Sequence, residues 1–315
     1  MRSINHIVIT ICLLTLVSCI KEDMSECPTT LLVQFTSDPE YNNWEAEELH
    51  KVTVFIFDEN GNYLTSWSPE TPELDKIYTP EVDLLTGKYN FVVWSNVYSL
   101  YSITHLDDDT RTRAAKEQAL LEMNIPTTRD INLETTRIPL MLYGHVDGEL
   151  KPVRENLVTI PLVQNNNTVN VTVAGLERTN DSYHISITDN NGIYRFDNSI
   201  APCGDFSYRR RVAFTAASNE LSTSLSVLKL DAGHRTPLLT VVNEVTRDTI
   251  FPSAEWTNNR LIDLILAAHP TNDFTKNHVY DIRINFEDGQ DGSIVIQVTV
   301  NGWTLITEPD SNLTP

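Results

Sequence analysis

From Leu31 onward, apolar and polar side chains alternate at a period of two, the signature of strands with one buried face. Leu31 to Phe35 opens the series. Val52, Val54 and Ile56, interleaved with Phe55 and Phe57, form the next run, and Asp58, Glu59, Asn60, Gly61 supply a turn before Tyr63 to Trp67. Strands are predicted over Ile77 to Leu84 and Lys88 to Ser95, joined across Thr86 and Gly87, then over Arg137 to Val146 and Leu157 to Val163. Thr112 to Met123, with Ala114, Ala115, Ala119, Leu120 and Glu122, reads as a helix inserted in this β series.

A second cycle starts near Thr168 with Val169, Val171 and Val173. Tyr183 to Thr188, the turn Asp189, Asn190, Asn191, Gly192, and Ile193 to Phe196 repeat the grammar of the first hairpin. Strands follow at Phe206 to Ala216, Ser224 to Leu230, Leu238 to Val245, Leu261 to Leu266, Val279 to Phe286 and Ser293 to Val300. This spacing predicts an all-β protein of two tandem β-sandwich domains, residues 29–156 and 157–315.

The N-terminus has its own pattern. Arg2 precedes an apolar run from Ile7 to Val17, short of the roughly 20 residues a spanning helix needs. It ends Leu16, Val17, Ser18, Cys19, as a cleaved and lipidated signal does; an ordinary secretory signal or a core helix would not require that order. Residues 1–18 are read as a lipoprotein signal peptide, Cys19 as the lipidation site and 19–28 as a polar tether. Extended at about 3.3 to 3.6 Å per residue, the stretch from Cys19 to Leu31 reaches roughly 40 Å, so the first domain sits close to the lipid surface.

Charge narrows the partners. The chain carries 23 basic and 43 acidic residues, and loss of residues 1–18 removes one Arg and no acid. Such a surface repels phosphate backbones, which argues against nucleic acid, and offers no basic patch to anionic lipid. Membrane attachment then falls to the acylated Cys19. Cys27 and Cys203 remain as a pair whose bridging depends on geometry that sequence does not supply.

Catalytic and metal-binding patterns are missing from the sequence. No two histidines of the mature chain stand at metal-ligand spacing, and no nucleophile elbow or phosphate loop occurs. Asp107, Asp108, Asp109 lacks the alternation of a calcium loop, and Glu287 to Gly292 reads better as a hairpin than as a cation site. No enzymatic activity, cofactor or metal is expected. Trp94 and Trp303 read as core residues, whereas Trp44 and Trp256, in polar loops, are candidates for exposed sugar contacts. Asp248, Thr249, Ile250 matches a short acceptor pattern for O-glycosylation.

Several stretches together resemble the FimB and Mfa-type anchor subunits of type V fimbriae, in the fimbrillin superfamily of Bacteroidota. They are the signal with Cys19, the acidic spacer Lys21, Glu22, Asp23 leading to Cys27 and Pro28, and Val54 to Tyr63 with Phe57, Asp58 and Gly61. Tyr89 to Asn96, Leu142 to Gly144, and the close from Tyr280 to Trp303 with Asn301 and Gly302 complete the likeness. The resemblance implies two transthyretin-like sandwiches, outer-membrane attachment through Cys19 and a place at the base of a fimbrial shaft whose length the subunit limits, while the acidic residues behind Cys19 resemble the signal that exports such lipoproteins to the outer face. It implies the shaft subunit as partner, and no catalysis. Strand complementation would supply the joint, since an open sheet edge presents unpaired backbone groups. The rival readings are a surface glycan-binding lipoprotein and a tip or accessory adhesin of the same system.

Overall fold

The computed structural model of the 315-residue chain describes residues 29–37, 49–97, 100–104, 106, 116–152, 155–177, 179–215, 218–254, 256–288 and 294–306. A seven-stranded sheet runs in the spatial order β3 (Tyr63–Trp67), β2 (Val52–Asp58), β5 (Gly87–Ser95), β9 (Leu142–Leu150), β10 (Glu155–Gln164), β1 (Thr30–Ser37) and β4 (Ile77–Tyr78). In β1, Leu31, Val33 and Phe35 are buried while Leu32, Gln34 and Thr36 look outward. Strands β2 and β5 are apolar on both faces because both faces are covered. Val54, Ile56, Phe91 and Val93 join β1 and β10 in one core; Phe55, Phe57, Val92 and Trp94 point the other way, into a second.

The predicted turn after β2 forms as expected. The Asp58 carboxylate accepts the Asn60 and Asn62 amides at 2.9 Å, and Gly61 takes φ +78°. The strand predicted over 77–84 stops after Tyr78, near Pro80, which has no N–H to donate; the strand predicted from Arg137 starts only at Leu142, beyond Pro139.

Among the described residues, three further sheets carry the remainder. One runs β16 (Leu221–Leu228), β11 (Asn166–Ala174), β19 (Val279–Asp288), β20 (Ile294–Val300), β21 (Trp303–Ile306). Another runs β18 (Thr249–Phe251), β17 (Leu238–Asn243), β12 (Ser182–Asp189), β15 (Phe206–Ala213), β8 (Asp130–Asn132). The smallest runs β14 (Ile200–Ala201), β13 (Ile193–Arg195), β7 (Leu120–Met123), β6 (Tyr101–Thr104).

Three expectations are corrected here. Leu120 to Met123, expected to end a helix, is strand β7: pairing with β6 and β13, and burial of the alternate residues Leu121 and Met123, override its helical propensity. Leu261 to Leu266, expected as a strand, belongs to helix α1 (Leu261–Ala268), whose buried Leu261, Ile262, Leu264, Ile265 and Ala268 follow a helical stripe. The turn at Asp189 to Gly192 does not close a hairpin; β12 pairs with β15 and β17, while β13 pairs with β7 and β14 in another sheet.

Strand pairing crosses between the two halves of the chain. Strands β6, β7 and β8 come from the first half of the chain yet pair with one another or with second-half strands, β8 running parallel to β15. The expected cut between 156 and 157 falls inside β10, which pairs with β1 from Glu155 to Leu162. The chain passes to the next sheet at Asn165, and buried amides clamp the crossing: Asn166 Oδ1 accepts the Met141 amide at 3.3 Å and Asn167 Oδ1 the Leu230 amide at 2.8 Å. Across the junction Phe196 sets its ring against Phe55 and Phe57 at 5.1 and 5.9 Å, so one apolar core runs from the first sheet into the second half.

Candidate docking edges and clefts

An exposed sheet edge presents unpaired backbone N–H and C=O groups to which a further strand can pair. The last described strand, β21, returns from β20 through Asn301 and Gly302, at φ +47° and +83°, the left-handed pair a two-residue hairpin demands. The turn is rigid. Asn301 Oδ1 accepts the Asp281 amide at 2.7 Å, and the Asn301 amide donates to Asp281 O at 2.9 Å.

Trp303 sits opposite Val300 in the register, yet Val300 is fully buried and Trp303 is 64% exposed. Its ring stands edge-on to His269 just past the end of α1, at 5.8 Å between centroids. This corrects the expectation that Trp303 is core: the helix covering the sheet ends one residue before His269, leaving the indole uncovered. Among the described residues, β21 has no partner strand on its outer side.

The margins at β16 and at the ends of the seven-stranded sheet are better closed. Ser224 O on the edge strand β16 accepts Arg210 Nη1 at 3.0 Å, and the Leu228 amide donates to the Tyr208 hydroxyl at 3.3 Å. A cleft of about 390 Å³ lies beside it, lined by Arg137, Ile138, Arg210, Ser224 and Ser226. At the ends of the seven-stranded sheet, Trp67 of β3 packs on Tyr78 of β4 with centroids 5.7 Å apart, next to a cleft of about 500 Å³ lined by Leu64, Val82, Leu84, Leu85 and Tyr89.

A polar cleft of about 590 Å³ separates the β2–β3 turn from the β13–β14 turn and holds Glu59, Asn60, Asn90, Lys116, Arg195 and Asp197. Lys116 Nζ lies 3.3 Å from Asn90 Oδ1 and 3.0 Å from His145 Nε2. Burial holds both the Lys116 amine and the His145 ring below their ordinary ranges. Elsewhere, buried Asp189 Oδ1 receives the Thr236 hydroxyl at 2.6 Å and contacts His234 Nε2 at 2.9 Å, while Thr236 Oγ1 is 2.7 Å from that same nitrogen. Both contacts fall on Nε2, and the cluster clamps its turn. Among the described residues no three His, Cys, Asp or Glu side chains group as a metal site would require.

Of the residues singled out from sequence, Cys19, Cys27, Trp44 and the run Asp107 to Asp109 lie outside the described residues. Cys203 carries a free thiol directed at Asn190 O, 3.2 Å away. Strands β19 and β20 pair antiparallel as far as Asp288 and Ile294, and residues 289–293, over which most of the expected hairpin turn falls, lie outside the described residues. Trp94 is fully buried as expected; Trp256 is a correction, since it packs in the core with Nε1 donating to Asn258 O at 2.6 Å and offers no sugar platform. Thr249 is exposed on the edge strand β18. No helix among the described residues is long and apolar enough to cross a membrane.

The fold recurs in known proteins. The minor fimbrium anchoring subunit Mfa2 of Porphyromonas gingivalis is 25% identical over 308 residues, covering 92% of this chain and 90% of that protein. The crystal structure of the fimbrial anchor protein Mfa2 from the same organism superposes with a TM-score of 0.72 at 24% identity, covering 90% of this chain and all of the other. A Bacteroides thetaiotaomicron protein provisionally described as an adhesin matches in fold, with a TM-score of 0.69 at 19% identity over 91% of this chain and 100% of its own. The family model for fimbrillin-A associated anchor proteins Mfa1 and Mfa2 matches residues 24–309, and the chain therefore belongs to that family of fimbrial anchors.

Proposed function

We propose that this chain is the base subunit of a fimbrium, held at the outer membrane by lipid on Cys19 and joined to the lowest shaft subunit by strand addition along β21. The observation that carries the reading is Trp303: a large aromatic side chain, 64% exposed, on a strand that has no outer partner among the described residues. A strand laid against β21 gains main-chain hydrogen bonds, and the indole supplies the buried aromatic anchor that concentrates binding energy at protein interfaces. Family membership and the likeness to a fimbrial anchor over most of the chain support the same assignment. A subunit fixed to the membrane and filling the end of the shaft also ends growth there, which accounts for control of length.

The test is capture of the shaft subunit by the purified chain. Trp303→Ala removes the anchor, and Thr304→Pro takes one N–H from the edge strand and stiffens it. Both should abolish capture while circular dichroism stays native. Undiminished capture by both variants would place the joint elsewhere.

A further inference from the structure

The layer farthest from the second half carries an apolar patch of its own. Leu157 on β10 is 50% exposed and stands directly opposite Leu32 on β1; Ile77 on β4 is 53% exposed and stands opposite Gln34, two residues along the same face. With strands about 4.8 Å apart and alternate residues about 6.8 Å apart, these side chains fall within roughly 12 Å of one another. At the same end Leu85 is 51% exposed, next to Leu84, whose carbonyl accepts the Thr29 hydroxyl at 2.9 Å. Exposed apolar patches of this kind mark contact surfaces.

The position of the patch selects its occupant. Thr29 is the tenth residue after Cys19, and ten residues span at most about 36 Å, so a lipid on Cys19 keeps this face near the bilayer. The inner sides of β1 and β10 face the first core, and beyond that core β2 and β5 face the second half. The patch therefore lies across the first core from the second half, to which β21 belongs. We infer that Leu32, Ile77, Leu85 and Leu157 rest on the lipid surface and orient the molecule with β21 pointing outward. This rests on the lipid-anchor reading of Cys19. Exposed Glu81, Asp83 and Glu155 lie beside the leucines, so the face suits zwitterionic lipid and is repelled by strongly anionic lipid.

The test uses the lipidated chain in native membranes with Cys27→Ser and Cys203→Ser, and single reporter sites Ile77→Cys, Leu85→Cys, Leu157→Cys and, as a control in the second half, Val245→Cys. Half-exposed surface positions tolerate such changes. Each site carries an environment-sensitive fluorophore, and a lipid-borne spin label serves as quencher. Blue-shifted, quenched emission at 77, 85 and 157, with water-like emission at 245, is expected. Membrane-bound protein with water-like emission at all four sites would overturn the inference and leave the anchor standing. Blue-shifted emission without lipid quenching would assign the face to a protein partner and overturn it as well. Failure of the lipidated chain to enter the membrane fraction would remove the anchor and this inference together.

Discussion

Phe196→Ala probes the claim that the two halves share one core. The ring is fully buried, stands T-shaped to Phe55 at 5.1 Å and to Phe57 at 5.9 Å, and approaches Trp94 at 6.4 Å. The backbone at this point is held separately, since Phe196 O accepts the Tyr143 hydroxyl at 3.2 Å, so collapse to fill the void is resisted. Truncating a buried Phe to Ala costs about 3 to 5 kcal/mol, and the loss of edge-to-face partners places this site in the upper part of that range. Against a typical total of about 5 to 15 kcal/mol, that is a large fraction. Urea unfolding of the Cys19→Ser mature chain, followed by far-UV dichroism and tryptophan fluorescence, gives the number. Coincident transitions with a loss of about 4 to 5 kcal/mol are expected. A loss under about 1 kcal/mol, the level of an ordinary surface change, would refute a core shared across the junction.

Other expectations follow from single sites. Gly175→Ala should prevent recovery of folded protein, because the residue has φ +80° and an added Cβ would stand 1.8 Å from Phe286 O; soluble expression checks it. Trp303→Ala should move the urea midpoint little, with a change under about 1 kcal/mol for so exposed a ring, even as shaft capture is lost. Burial, aided by Lys116 at His145 and by Arg209 at His184, holds both imidazoles below the usual histidine range. The unfolded chain then takes up protons first, near pH 6.5, so stability is full above that pH and falls as pH drops below it. The double variant His145→Gln, His184→Gln should make that fall shallower in urea titrations between about pH 7 and 5. Cys19→Ala should shift the protein from the membrane fraction to the soluble fraction, as immunoblotting would show.

The fold was legible wherever one side chain period decided the local structure. Alternation in β1, β10 and β11 and the Asp58 turn are local facts, and the strands lie where those facts put them. Elsewhere the deciding partner is distant in sequence. Leu120 to Met123 has helical propensity but lies between two strands that cover it. Leu261 to Leu266 is a run in which strand and helix look alike until a face is chosen. The parallel pairings of β1 with β10 and of β11 with β19 join strands more than a hundred residues apart and leave no local mark. Tryptophan burial is likewise decided at a distance: Trp256 is drawn into the core from a polar loop, and Trp303 stays exposed where α1 stops short. The buried run Asn165 to Asn167 reads as an ordinary polar link, although it clamps the passage between sheets.

Electron microscopy of cells lacking this chain, compared with cells restored by the native protein, tests the base-subunit assignment most directly. The account predicts long filaments shed into the medium from the deleted strain, and short, attached filaments after restoration. Filaments of native length still fixed to the deleted cells would contradict it.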